Sequence, residues 1–456
     1  MNYKKLFSSG LALTTALVML AACGSSGSSS TTAGSSGGGS TEAGSQSTAA
    51  ASASESTGTA AQTSGDSSQE TVSITLMQSK TEIQEDLQTV VDAYNALNTG
   101  VNVTLLGTSG DNFSTVLQSN FAADPASAPT IFTISGPGAA KFNDYMAPLD
   151  DTQASTLLAD NMKALFTGAD GKVNGLPMGV EGYGFIYNVD MFEQAGVDAA
   201  SLTDIDKFVA ALDTLSKVDG VTAPIGFAKE NYFVFVHFFN WGTALDENYA
   251  ADLTEVANGT KTLADIPAVQ AWADALDQIA PYTNKGQVSY DEQVAGFSAG
   301  QYAMIHQGVW AQQVLDDNEV DFDYDFLMYP LEGNSKMPVG ASTAYRVNNK
   351  ASEAQQAGAR QFLDWLITSE DGQNYSADLL NLIPPYEGIK APTGKLTETV
   401  AKYAADGQTL DWTFNTDYPS GIDVDGAAAM QDYYNGKTDG AGLLQQLTEA
   451  WARASQ

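Results

Sequence analysis

The sequence predicts an α/β fold in two lobes, standing behind a flexible tether. Three observations carry that prediction. Residues 71–135 alternate strand, helix, strand, helix, strand, the pattern of a parallel sheet with crossover helices. The pattern restarts after Pro177 with strand, helix and strand over 182–228, and further helices follow toward the end of the sequence. Near residue 70 the composition changes abruptly, from almost wholly Ser, Gly, Thr and Ala to a normal mixture of apolar and polar residues.

In chain order, Lys4 and Lys5 precede an apolar run from Leu11 to Ala22, which is the layout of a secretory signal and too short to span a bilayer. The run ends in Leu-Ala-Ala-Cys, and this tetrapeptide resembles the lipobox of bacterial lipoproteins, in which the Cys is acylated and becomes the new N-terminus. Cys23 is the only Cys in 456 residues, which leaves neither a disulfide framework nor a cysteine zinc site. The expectation is a signal peptide over 1–22, lipid on Cys23 and a tether to residue 70. Such a tether, about 45 residues long, reaches on the order of 35–40 Å as a random coil.

In the globular body, 71–77 (TVSITLM), 101–107 (VNVTLLG) and 130–135 (TIFTIS) read as strands. Between them, Ile83, Leu87, Val90, Val91 and Tyr94 share one helical face, and 112–124 reads as a second helix. Ligands of parallel sheets bind at the carboxyl ends of the strands, which selects Gln78, Ser79, Ser135 and Gly136. After Pro177, the spacing predicts strands at 182–188 and 223–228. It predicts helices at 205–217, 267–280, 290–299, 309–317, 352–368 and about 440–453. Trp272, Trp365 and Trp451 fall on apolar helix faces and read as core.

Charge and motifs exclude several functions. The 55 acidic residues against 20 basic ones give a net charge of −35, with no basic footprint for nucleic acid. His237 and His306 are the only histidines. No G-x-S-x-G, H-E-x-x-H or phosphate-loop motif occurs, so nucleophilic catalysis and His/Cys metal sites have no basis. Neither a cofactor nor a metal is expected. The acidic run 321–325 (DFDYD) lacks the glycine and terminal Glu of a calcium loop. A glycoside hydrolase built on paired carboxylates, for example Glu181 with Glu230, stays open on counting alone.

The body also places aromatic residues beside polar ones in segments that read as loops: Glu181 with Tyr183, Glu230 with Tyr232, Asn240 with Trp241, then Trp310, and Trp412 with Tyr418. Aromatic faces stack on the C–H faces of pyranose rings, and carboxylates accept from their hydroxyls. Glu181 sits in LPMGVEGYGFIYN, where an apolar setting strips it of solvent and demands donors.

Four segments, 128–151, 171–198, 294–315 and 337–378, resemble in order the extracellular solute-binding proteins of family 1, the receptors of carbohydrate ABC importers. The resemblance implies a two-lobed periplasmic-binding-protein-like fold of type II, with three interlobe crossings near 181–183, 338–342 and 405–412. The lobes would then be 71–181 with 341–408, and 182–340 with 409–456. It implies that Glu181 is a ligand acceptor at the first hinge and that Trp310 and Trp412 are stacking platforms. It further implies that Glu230 and Tyr232 contact sugar, and that Ser79, Asp111 and Ser135 are first-lobe contacts. Unlike the maltose-binding members, this chain has no Trp in the TISGPG loop. The implied function is capture of a neutral mono- or oligosaccharide and delivery to the transmembrane subunits of a permease. The protein is expected to act as a monomer, lipid-anchored on the extracellular face of the membrane and without catalysis.

Overall fold

The computed structural model describes residues 71–456 apart from 108–111, 135, 285 and 342. Cys23, the tether, Asp111 and Ser135 therefore lie outside the described residues. The described residues fall in the unit Ser67–Gln456, which contains two sheets with separate cores.

The first sheet has the order Val101–Leu106, Val72–Met77, Ile131–Ile134, Ala344–Val347, Leu176–Pro177. Its first three strands are parallel, and Ala344–Val347 runs antiparallel to both of its neighbours. One face is covered by the helices Gln84–Ala96 and Glu353–Thr368, through Leu87, Val90 and Tyr94 and through Phe362, Leu363 and Leu366. The other face packs on Phe113–Ala123, whose Phe113, Leu117 and Phe121 meet Phe132 and Phe142. Three side chains at helical spacing define each buried stripe, as the periodicity predicts. At about 25 cal/mol per Å² of apolar area removed from water, these stripes hold the helices on the sheet.

The second sheet has the order Thr409–Leu410, Met337–Gly340, Glu181–Asn188, Tyr302–Gly308, Ala223–Gly226, and Tyr324–Leu327 also pairs with Glu181–Asn188. Its core is larger and strongly aromatic, with Phe185, Phe208, Phe238, Trp241, Trp272 and Trp451 all essentially inaccessible. Among the described residues, no helix is long and apolar enough to cross a membrane.

The chain passes between the sheets three times. It leaves Leu176–Pro177 and enters Glu181–Asn188 through residues 178–180, and it returns from Met337–Gly340 to Ala344–Val347 through 341–343. The third passage departs from the sequence reading. Tyr386 and Ile389 still pack on the first core, and the Tyr386 hydroxyl donates to the Pro177 carbonyl at 2.8 Å. Leu396 and Val400, on the helix Lys395–Ala405, already belong to the second core. The crossing thus lies at about 390–394, ahead of the expected 405–412, and 395–408 leaves the first lobe. The physical reason lies in DFDYD. Asp325 accepts from the Thr399 hydroxyl at 2.8 Å, and Lys395 Nζ lies 3.6 Å from its carboxylate, which ties the helix to the second sheet.

Both histidines are buried in this second core. His306 Nε2 accepts from the Trp241 indole at 3.2 Å, and burial pushes the imidazole down from 6.5 to about 3. Burial also holds His237 well below its ordinary range, reinforced by His306 and Lys80. A folded-state value below the unfolded one gives stability that is complete above pH 6.5 and lost as pH falls, because only the unfolded chain takes up the proton. With no other histidine in the chain, unfolding free energy should fall between pH 6.5 and 4.5 by up to about 1.4 kcal/mol per pH unit from His306, and His237 adds in the same direction. Urea titrations across that range check this. His306→Gln, which keeps an acceptor for Trp241, should make the slope shallower, and a flat profile in the wild type would contradict the burial argument.

Candidate functional site

Glu181 is the first residue of its strand and sits where the chain has just crossed between sheets, paired with Gly340. It is only 7% exposed. Its Oε1 accepts from Lys80 Nζ at 2.5 Å, and the same ammonium lies 3.3 Å from Glu82 Oε1. Lys80 follows the carboxyl end of Val72–Met77, the central parallel strand of the first sheet. The buried Gln78 side chain fixes its backbone, accepting from the Lys80 N–H at 2.5 Å and donating to the Lys80 carbonyl at 2.7 Å. Burial opposes the charge on Lys80, but the carboxylates of Glu181 and Glu82 outweigh it, and the ammonium is held above its ordinary range. It is therefore charged at neutral pH.

Trp310 comes from the second lobe, just after the carboxyl end of Tyr302–Gly308. Its indole N–H donates to Gln307 at 2.7 Å. Gln307 in turn donates to Gln293, and Gln293 to the Gly226 carbonyl, each at 2.7 Å. This relay of amides pins the ring to the end of the neighbouring parallel strand. Phe233 stacks on the ring, with centroids 5.9 Å apart and planes at 21°. The Lys80 ammonium lies 5.9 Å from the ring centroid, within cation–π range. Lys80, Glu181 and Trp310 line one narrow cleft that opens to solvent, with Leu380–Ile383 forming its wall on the first-lobe side.

Behind Trp310 lies an aromatic bed. Tyr183 is fully buried and stacks on His237, with centroids 4.8 Å apart and planes at 22°; His237 also lies 5.1 Å from Trp310 and 5.7 Å from Trp412. The segment that supplies Phe233 and Tyr232 is a π-helical turn, Tyr232–Val236. Such turns add a residue to a helix and re-aim its side chains, often at functional sites. Tyr232 is half-buried at the start of this turn.

The other expected site residues have different surroundings. Glu230 is half-buried, and its Oε1 accepts from the backbone N–H of Tyr290, the first residue of the helix Tyr290–Ser298. A carboxylate there offsets the positive end of the helix dipole. Trp412 is buried in the bed, with an indole N–H that has no partner. Ser79 bonds to Thr133 through both its N–H, at 3.0 Å, and its hydroxyl, at 3.3 Å. Trp241 is not at the cleft. It is inaccessible and donates to His306, because His237–Ala244 is a helix buried on nearly every side rather than the loop that an Asn-Trp pair implied.

Sequence reasoning missed Lys80, which stands one residue beyond Ser79 at the strand end already singled out. It also missed Leu380–Ile383, which has no local signature. Pairing of Val180 with Ile383 across the first crossing brings that segment in.

Two glycines seat the tryptophans. A Cβ on Gly308 would overlap the Trp310 ring, and one on Gly340 would lie 2.7 Å from the Trp412 ring. Gly308→Ala should therefore expel Trp310 from its seat at an overpacking cost of about 1–3 kcal/mol. The expected result is red-shifted tryptophan emission with a lowered melting temperature. Unchanged emission would refute the seating.

Comparison with known proteins places this geometry in a family. Residues 89–406, more than half of the chain, match the family model described as bacterial extracellular solute-binding protein. The melibiose/raffinose/stachyose-binding protein MelE of Bacillus subtilis (strain 168) is 23% identical over 179 residues. That match spans 39% of this chain and 41% of the length of that relative. A sugar transporter protein from Bacillus licheniformis, solved with stachyose, superposes with TM-score 0.69 at 16% identity over 84% of this chain and 100% of its own. The solute-binding protein RafE in complex with raffinose superposes with TM-score 0.71 at 19% identity over 85% of this chain and 100% of its own. These structures share the two-lobed type II fold, and the relatives are binding proteins rather than enzymes. The chain belongs to the bacterial extracellular solute-binding proteins.

Proposed function

We propose that this protein is the substrate-binding lipoprotein of a carbohydrate ABC importer. It captures a neutral oligosaccharide of the raffinose and stachyose type between its lobes and hands it to the permease. The observation that carries the reading is the meeting of Glu181 and Trp310 in one interlobe cleft. A buried carboxylate accepts from hydroxyls, an indole stacks on the C–H face of a sugar ring, and neither arrangement needs a charged ligand. MelE and the two solved relatives carry ligands of this class in their names, which supports the choice of probe. Ligand contacts from both lobes favour the closed arrangement by differential affinity. Cys23 carries the lipid that keeps the protein at the extracellular face of the membrane.

Calorimetric titration with raffinose and stachyose, beside melting curves, tests the site. Hydrogen bonds to a charged group contribute about 1.5–3 kcal/mol against about 1 for neutral ones, so Glu181→Gln should lose about tenfold in affinity. Trp310→Ala should lose at least as much, and both variants should remain folded. Unchanged affinity in both would end the assignment. Cys23→Ala should appear in the culture medium instead of the membrane fraction, and its retention on membranes would remove the lipid anchor.

A further inference from the structure

The cleft of this protein already contains a donor. Lys80 Nζ lies 2.5 Å from Glu181 Oε1 and 5.9 Å from the centre of the Trp310 ring. These are the acceptor and the stacking face on which the sugar-site reading rests. The side chains of Lys80 and Glu181 are only 12% and 9% exposed, so the carboxylate offers little free surface while the ammonium is in place. The Lys80 backbone is clamped on both sides by Gln78, which leaves the side-chain torsions as the means of moving the charge. Glu82, 3.3 Å from the same ammonium and lining the same cleft, offers a second acceptor toward which it can swing.

We propose that Lys80 is an intramolecular occupant of the ligand site, and that a sugar binds by exchange, displacing the ammonium from Glu181 toward Glu82. The inference rests on the sugar-site reading and gives Lys80 a role opposite to that of a ligand donor. The ammonium satisfies a buried carboxylate, because an unpaired charge there is costly. That same contact must be given up before hydroxyls can use the acceptor, so Lys80 sets the affinity from the unliganded side. It also discriminates among sugars, since the ligands that bind are those with enough donors aimed at Glu181 to replace the ammonium.

Lys80→Met tests this, because it keeps the length of the stem and its apolar burial while removing the charge. The empty variant should melt at a lower temperature than the wild type, since Glu181 loses its cation. Its affinity for raffinose or stachyose should rise about tenfold, measured by calorimetry. Lys80→Arg, which restores a cation, should return affinity toward the wild-type value. In a Glu181→Gln background, the gain from Lys80→Met should largely vanish, because the two residues act on one contact. Weaker binding by Lys80→Met, rescued by Arg, would show that Lys80 donates to the sugar and would overturn the proposal. Equal affinity would overturn it as well. A wild type that binds no member of a neutral oligosaccharide panel would overturn the sugar reading and this inference together, whereas binding by the wild type with a weakened Lys80→Met overturns this inference alone.

Discussion

The strand Glu181–Asn188 joins the second sheet to the crossing, and much of the molecule depends on what that position imposes. The strand pairs with Tyr302–Gly308, Tyr324–Leu327 and Met337–Gly340. Its first residue is therefore held at the mouth of the sheet by neighbours that cannot move independently. A carboxylate fixed there loses most of its water. Stripped of a partner, a buried charge of this kind destabilises a fold by about 3–5 kcal/mol. Lys80 meets that demand from the other sheet, which makes the pair an electrostatic tie across the crossing as well as part of the cleft.

Around this tie the second lobe builds a rigid, apolar platform. Gly308 and Gly340 stand on strands that flank Glu181–Asn188, and each leaves room for a tryptophan ring where any larger residue would overlap it. The amide relay from Trp310 through Gln307 and Gln293 to Gly226 satisfies buried polar groups that would otherwise be orphaned. It also orients the ring. The buried His237, held well below its ordinary range by burial, lies among Tyr183, Trp310 and Trp412 as an aromatic filler. Among the described residues that line the cleft, Lys80 is the one cation, and it is paired with two carboxylates.

The legible part of the sequence was the part governed by local periodicity. Leu87, Val90, Val91 and Tyr94 announce one helix, and Leu443, Leu444, Leu447 and Trp451 another, because burial on one side of a helix needs that spacing. Glu181, an acid among apolar residues, and Trp310, a Trp that follows a Gly residue and opens a helix, drew notice in the sequence, and the fold brings both to one cleft. Trp241 misled because a helix buried all round shows no stripe, and its Asn neighbour imitated a loop. Glu230 shows a different limit: its bond to Tyr290 spans 60 residues and leaves no trace in the local pattern. The third crossing was displaced for the same reason, as the pairing of Asp325 with Thr399 and Lys395 is tertiary. Lys80 was overlooked one position past Ser79, although the strand-end rule reaches it.

The central claim is that ligand recognition is centred on the contact between Glu181 and the cleft face of Trp310. Its most direct measurement is diffraction from crystals grown with the oligosaccharide that binds most tightly in calorimetry. The account predicts density for a sugar ring stacked on Trp310, with at least one hydroxyl within hydrogen-bonding distance of Glu181. Sugar density elsewhere on the protein, with Glu181 and Trp310 untouched by ligand, would contradict it.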